Sequence, residues 1–221
     1  MTAVVLVAAG SGQRLGAGVP KALVTVGGAT LIEHCVSVIA NVDRIDEVVV
    51  VVPGSHLSAV TELLAAGPDV SVVAGASSRD GSVRSGLAAL VGDHEHVLIH
   101  DAARPLTPAE VYDRVIDALQ EGASAVVPAI DVADTIKRQH DGVVVQTVDR
   151  SELVAVQTPQ GFDVRALRRA HETGGADDVT DDAMRLERAS VPVRIVEGSP
   201  MAFKITGPFD LRVAEALQEG S

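Results

Sequence analysis

Arg14 and Lys21 are spaced through a run of small residues, AAGSGQRLGAGVPK (8–21), in which Gly10, Gly12 and Gly16 leave the backbone open to close approach. Free N–H groups in such a loop cradle phosphate oxygens, and two cations beside them suit a polyphosphate. Asp101, in HDAARP (100–105), is a carboxylate able to hold Mg²⁺ against phosphates, or to cap the turn that follows it. Lys204, in AFKITGPFD (202–210), is one of only three lysines, with Lys21 and Lys137. A compact ammonium there suits a phosphate, the alternative being a strand lysine turned to solvent. Arg150 and Thr135 bracket a separate segment, and Thr158 and Thr180 add hydroxyls in loops. There is no G-x-S-x-G elbow and no Cys/His pair, which argues against covalent catalysis. Cations, glycines and one carboxylate suit phosphoryl or nucleotidyl transfer, where catalysis is mainly positioning and charge neutralisation.

The loop spacing excludes two nucleotide-binding motifs. A dinucleotide fingerprint needs a glycine at position 15, which is Leu15, and an acidic residue ending the second strand, where the chain has Val51-Val52-Pro53. A Walker loop needs Gly-Lys-Ser/Thr, but Gly16 precedes Ala17 and Gly18.

These residues must be placed by the elements around them. Apolar runs at Ala3–Ala8, Glu47–Val52, Val70–Val73, Val97–His100 and Ala125–Pro128 alternate with helical patterns near Thr30–Asn41, Ser55–Ala66, Gly81–Val91 and Pro108–Glu121. That alternation predicts βαβ units and a mainly parallel sheet, with ligands bound beyond the carboxyl ends of the strands. Thr107 is expected to cap the fourth helix, with Pro108 at its first position and Glu110 completing a capping box. The loop Gly75–Ser82 joins a strand to a helix; Gly75 and Ala76 permit close contact with a base, and Ser82 either caps the helix or donates to a nucleotide. His100 is expected to pack or hydrogen-bond at the sheet end rather than act as a base.

After Pro128 the alternation breaks. Residues 134–150 read as two strands joined at Asp141-Gly142, a strong hairpin signal. An isolated hairpin is marginal in water, so it docks either on its own domain or on a second subunit. Helices near Val164–His171 and Asp181–Ala189, strands near Val193–Val196 and Ala202–Ile205, and a helix near Phe209–Gln218 complete the reading.

Composition narrows the class further. The 221 residues are 47% hydrophobic but 2% aromatic, so the core is built from Val, Ala, Leu and Ile, as a buried parallel sheet requires. Eighteen Lys and Arg against 30 Asp and Glu give a net charge of −12, which disfavours nucleic acid and acidic membrane surfaces as partners. Cys35 is expected in the core. With neither a signal-peptide pattern nor a spanning apolar run, the expected location is cytoplasmic.

Taken in order, AAGxGxR…PK, HDAARP, DTIK, TVDR, QTPQ, TDDA and KITxPxDL resemble the 2-C-methyl-D-erythritol 4-phosphate cytidylyltransferase family, from residue 3 to about 217. The resemblance implies an α/β, Rossmann-like nucleotidyltransferase fold: one domain over residues 1–221, with a projecting β-hairpin dimerisation arm at about 131–156. It implies a Mg²⁺-dependent homodimer with exchanged arms that joins CTP to a polyol phosphate and releases pyrophosphate. It assigns Arg14 and Lys21 to charge on the transferring phosphate and the departing pyrophosphate. Ala8, Ala9, Gly10 and Gly12, with Gly75, Ala76 and Ser82, are assigned to the nucleotide. Arg150 and Thr135 from the other subunit, with Lys204, fall to the incoming phosphate, and Asp101, Ala102, Arg104, Thr158 and Thr180 surround the acceptor. Two departures stand out: Ala76-Ser77 where relatives often have Gly-Asp, and Gln13 where a second basic residue is common. Ribitol 5-phosphate is the alternative acceptor, and a non-catalytic nucleotide-binding protein the remote alternative.

Overall fold

The computed structural model describes residues 1–10, 19–173 and 181–219. Strand β1 (Thr2–Val7) alternates its side chains between two cores, Val4 and Leu6 to one face, Ala3 and Val5 to the other. A β-ribbon of β2 (Thr25–Val26) and β3 (Ala29–Thr30) follows, turning at Gly27 and Gly28, both at positive φ as a two-residue hairpin demands. Thr30 then caps α1 (Leu31–Ile39) in a capping box with Glu33, burying Leu31, Ile32, Cys35, Val36 and Ile39. The valine-rich β4 (Glu47–Val52), α2 (Leu57–Leu64), β5 (Ser71–Ala74), α3 (Arg79–Ala89), β6 (His96–Asp101), α4 (Ala109–Gln120) and β7 (Ala125–Asp131) continue the alternation.

Strands β1, β4, β5 and β6 are parallel, in the order β6-β1-β4-β5. One core cluster packs α1, α2 and α4 on one sheet face; the other packs α3 on the opposite face. Contact there is close. A Cβ added to Gly86 of α3 would fall 2.9 Å from a methyl of Val51 and closer still to Val5.

The hairpin expected over 134–150 forms as β8 (Lys137–His140) and β9 (Val143–Thr147), with Asp141 and Gly142 at positive φ. All nine strand residues are exposed, including Val143, Val144 and Val145. Two strands went unread in the sequence. β10 (Val154–Val156) and β11 (Gln160–Asp163) pair antiparallel with successive stretches of β7, separated by the cis Thr158–Pro159 peptide. β11 also pairs with β6. Helices α5 (Val164–Thr173) and α6 (Asp182–Arg188) join the α3 face, β12 (Arg194–Glu197) runs parallel to β7, and α7 (Pro208–Glu219) closes the described chain.

Two expectations are corrected. Thr107 does not cap α4: its hydroxyl donates to the Arg104 carbonyl at 2.9 Å, closing a tight turn, and the cap position passes to Pro108, which has no side-chain acceptor. Ala202–Ile205 is not a strand. Residues 200–202 form a 3-10 turn and the chain then crosses the strand ends, holding to them through the Ile205 N–H and the Ala103 carbonyl.

Gly86→Ala should lower stability by about 1–2 kcal/mol in urea unfolding. Alanine gains up to about 1 kcal/mol of helix propensity, but forcing a methyl between Val5 and Val51 costs about 1–3 kcal/mol and outweighs it.

Candidate active site

The carboxyl ends of β1 and β6 open into a cavity of about 650 Å³, as a parallel sheet dictates. Ala8, Ala9 and Gly10 continue from β1 along one wall, and Lys21, opening a 3-10 turn, stands beside them. Ala76, Ser77 and Ser82 come from the loop and first turn of α3, and Asp101 and Ala102 from the end of β6. Gly75 sits behind the wall: a Cβ there would lie 2.8 Å from Ser82 Oγ and 2.9 Å from the Ala9 methyl, so only glycine lets the two loops meet. Ser82 does not cap α3; Ser78 does, and the Ser82 hydroxyl donates to the Ser78 carbonyl and accepts from the Ala76 N–H. Gly12, Arg14 and Thr180 lie outside the described residues.

A smaller chamber of about 220 Å³ adjoins the first and is lined by Arg104, Thr158 and Gln160, among others. The Thr158 hydroxyl accepts from the Asp101 N–H at 3.1 Å and donates to His100 Nδ1 at 3.0 Å. The interruption between β10 and β11 is what turns Thr158 onto the end of β6. Arg104 ties two walls together, donating to the carbonyls of Ala202 at 2.6 Å and Val156 at 3.4 Å.

Asp101 is the electrostatic centre. Its Oδ1 accepts from Arg79 Nε at 3.2 Å and its Oδ2 from Lys204 Nζ at 2.6 Å. Burial alone would raise this carboxyl, but Arg79 and then Lys204 outweigh it and hold Asp101 far below the usual carboxylate range. Both oxygens of Asp101, the residue the sequence offered as a Mg²⁺ ligand, are in ion pairs, and among the described residues there is no cluster of three potential ligands from His, Cys, Asp and Glu.

Arg79 was missed, although the sequence carries a signal for it. It occupies the first position of α3, where a cation opposes the helix dipole and needs a tertiary partner to be tolerated. Lys204 is reached from an irregular crossing segment rather than a strand end. Thr135 and Arg150 line neither cavity. Both are exposed on or beside the arm, with Arg150 donating to the Ala133 carbonyl.

His100 packs, as expected. It is fully buried, its ring 5.3 Å from that of Tyr112, and its Nε2–H donates to the Arg104 carbonyl at 3.3 Å. Cys35 is likewise in the core.

A cavity at the strand ends, backed by glycine and alanine and faced by Lys21, Arg79 and Lys204, defines an α/β nucleotide-handling protein of the nucleotidyltransferase class. The comparisons make this specific. The chain belongs to the family described as IspD: 2-C-methyl-D-erythritol 4-phosphate cytidylyltransferase, whose profile matches residues 2–219. It is 47% identical over 228 residues to the 2-C-methyl-D-erythritol 4-phosphate cytidylyltransferase of Streptomyces coelicolor, covering 98% of this chain and 84% of that one. It is 49% identical over 220 residues to the bifunctional enzyme IspD/IspF of Clavibacter michiganensis; the match takes in 97% of this chain and spans 53% of that longer protein. The crystal structure of the cytidylyltransferase from Thermus thermophilus superposes with a TM-score of 0.81 at 34% identity, covering 99% of this chain and all of that one. Among the described residues no helix is long and apolar enough to cross a membrane.

Burial pushes His100 down to about 4 from an ordinary 6.5. Between those pH values the unfolded chain takes a proton that the folded chain refuses. The contribution of His100 to stability is therefore complete above about 6.5 and is lost as pH falls toward about 4. The loss is on the order of 3 kcal/mol. Urea titrations across this window should show a steep fall for wild type and a flatter one for His100→Gln.

Proposed function

We propose that this chain transfers the cytidylyl group of CTP to 2-C-methyl-D-erythritol 4-phosphate, giving 4-diphosphocytidyl-2-C-methyl-D-erythritol and pyrophosphate, in the cytoplasm, in non-mevalonate isoprenoid precursor synthesis. The observation that carries this reading is the pairing of two chambers across Asp101 and Lys204, one walled by small residues for a nucleotide, the other polar and narrow for a second substrate. Membership of the family supports the choice of both substrates.

An ionised acceptor phosphate needs no general base. One of its oxygens attacks the α-phosphorus, the new P–O bond forms as the bond to the β-phosphate bridging oxygen breaks, and pyrophosphate carries the electron pair away. The protein has to bring two anions together and align them. Ala8, Ala9, Gly10 and Gly12, with Gly75, Ala76 and Ser82, are assigned to the nucleotide; Arg14 and Lys21 stabilise charge on the reacting phosphates. Arg104 and Thr158 line the acceptor chamber and Ala102 lines the adjoining cavity; Ala102, Arg104, Thr158 and Thr180 are assigned to the acceptor, and Lys204 meets the acceptor phosphate. His100, fully buried and lining neither chamber, takes no part in proton transfer. Mg²⁺ dependence is proposed as a property of the nucleotide substrate, with CTP arriving as its magnesium complex.

The active form is proposed as a homodimer with exchanged arms. Arg150 and Thr135 stand outside both chambers of their own chain, and the arm exposes three consecutive valines. Docking on a second copy would cover those valines and carry Arg150 and Thr135 to that copy's acceptor chamber.

Arg14→Ala and Lys21→Ala should each lower kcat by about two or more orders of magnitude in a pyrophosphate-release assay; near-normal turnover in either would sink the assignment. The same assay run in parallel with methylerythritol phosphate and ribitol 5-phosphate should favour the former. Mixing inactive Arg14→Ala with inactive Arg150→Ala should restore partial activity through hybrid dimers, whereas no recovery after confirmed subunit exchange would place the arm in cis.

A further inference from the structure

Three residues line both chambers: Arg79, Asp101 and Lys204. The reaction as described uses Lys204 on the acceptor phosphate and leaves Arg79 without a task. The Arg79 guanidinium is nonetheless held by two carboxylates. Its Nε donates to Asp101 Oδ1 at 3.2 Å and its Nη1 to Asp182 Oδ2 at 2.7 Å. These carboxylates belong to different elements, the end of β6 and the first turn of α6.

Asp182 is a firm anchor. Its side chain is 2% exposed, with His171 Nε2 3.5 Å from Oδ1. His171 in turn places Nδ1 3.2 Å from Asp80, which also pairs with Arg84 at 2.6 Å and with Arg185. A chain of acidic and basic side chains thus runs from α3, α5 and α6 through Arg79 to Asp101. Lys204 sits at its outer end, its side chain 40% exposed.

A polyol phosphate entering the smaller chamber presents a dianion to Lys204, which already holds a monoanion. For Lys204 to turn to the phosphate, Asp101 must remain ionised and in place after losing one of its two cations. Only a second cation fixed independently of Lys204 permits this, and Arg79, anchored on Asp182, has that geometry. We infer that Arg79 is a positioning residue for the acceptor half of the site: its planar fork spans Asp101 and Asp182 and releases Lys204 from Asp101 to the incoming phosphate. Lysine cannot replace it, because a single ammonium lacks two separated in-plane donors. The nucleotide half is not expected to depend on the fork, since neither donor is directed at the glycine and alanine wall.

The inference rests on the cytidylyl-transfer reading, and the test separates the two. Steady-state kinetics of wild type, Arg79→Lys and Asp182→Asn would be measured with methylerythritol phosphate and CTP varied independently, with thermal unfolding of each protein alongside. Arg79→Lys should raise the KM for the acceptor about tenfold or more while the KM for CTP stays within about twofold. Asp182→Asn, which keeps the shape but removes the anchoring charge, should move the same constant in the same direction by a smaller factor. A purely structural role would lower Tm and spread the loss over both substrates. The inference is overturned if both KM values rise together, if the acceptor KM stays within about twofold of wild type, or if only kcat falls. If Arg79→Lys does not fold, Asp182→Asn decides by the same criteria, and failure of both to fold assigns the cluster to stability alone. A wild-type protein that turns over no polyol phosphate overturns the functional reading and this inference with it.

Discussion

A carboxylate buried at the end of a central strand has to be neutralised, and much of the site is arranged around that requirement. Asp101 leaves β6 where the sheet stops supplying backbone partners, and taking its charge out of water is tolerated only with cations and hydrogen bonds in place. Those partners arrive from distant parts of the chain: Arg79 from the start of α3, Lys204 from the segment before α7, and the Thr158 hydroxyl on the Asp101 N–H from the break between β10 and β11. One buried charge thereby fixes the relative positions of elements whose apolar contacts alone would leave latitude. Removing either cation would strand part of that charge, so the cluster specifies geometry more than it adds net stability.

The apolar and polar parts of the molecule divide along the strands. Their middles, Val4 to Leu6, Val49 to Val52 and Val97 to Ile99, are buried on both faces and offer nothing but bulk. Chemistry is confined to the carboxyl ends. There, small residues at Ala8, Ala9, Gly75 and Ala76 thin the wall, and Gly75 keeps the first loop in contact with α3. The arm obeys a different rule. Its nine strand residues are exposed and its register is set by the turn, with Asp141 and Gly142 both in the left-handed region.

How much of this the sequence discloses depends on the range of the interaction involved. Local signals read well. The apolar runs mark β1, β4 and β6, Asp-Gly marks the hairpin, and the order of motifs marks the family. Thr107 misled because its hydroxyl had two acceptable uses, a helix cap or the Arg104 carbonyl, and tertiary placement chose the latter. β10 and β11 escaped notice because each is short and Pro159 and Gly161 punctuate them; only pairing with β7 makes them strands. Ala202–Ile205 has strand-like residues but meets the strand ends across their tips rather than along their edges. Arg79 and Asp182 lie 103 positions apart, so their pairing is invisible without the fold. The cation at a helix start was the one local anomaly that pointed to it.

The scarcity of aromatic residues has a practical consequence. The chain has no tryptophan and one tyrosine. That tyrosine, Tyr112, is fully buried with its ring tilted against that of His100, next in sequence to Asp101. Tyrosine absorption and emission from this protein therefore originate at a single point, beside the histidine that precedes Asp101. The molecule carries its own optical probe, free of background from any other indole or phenol and in contact with the residue next to the carboxylate at the centre of the site.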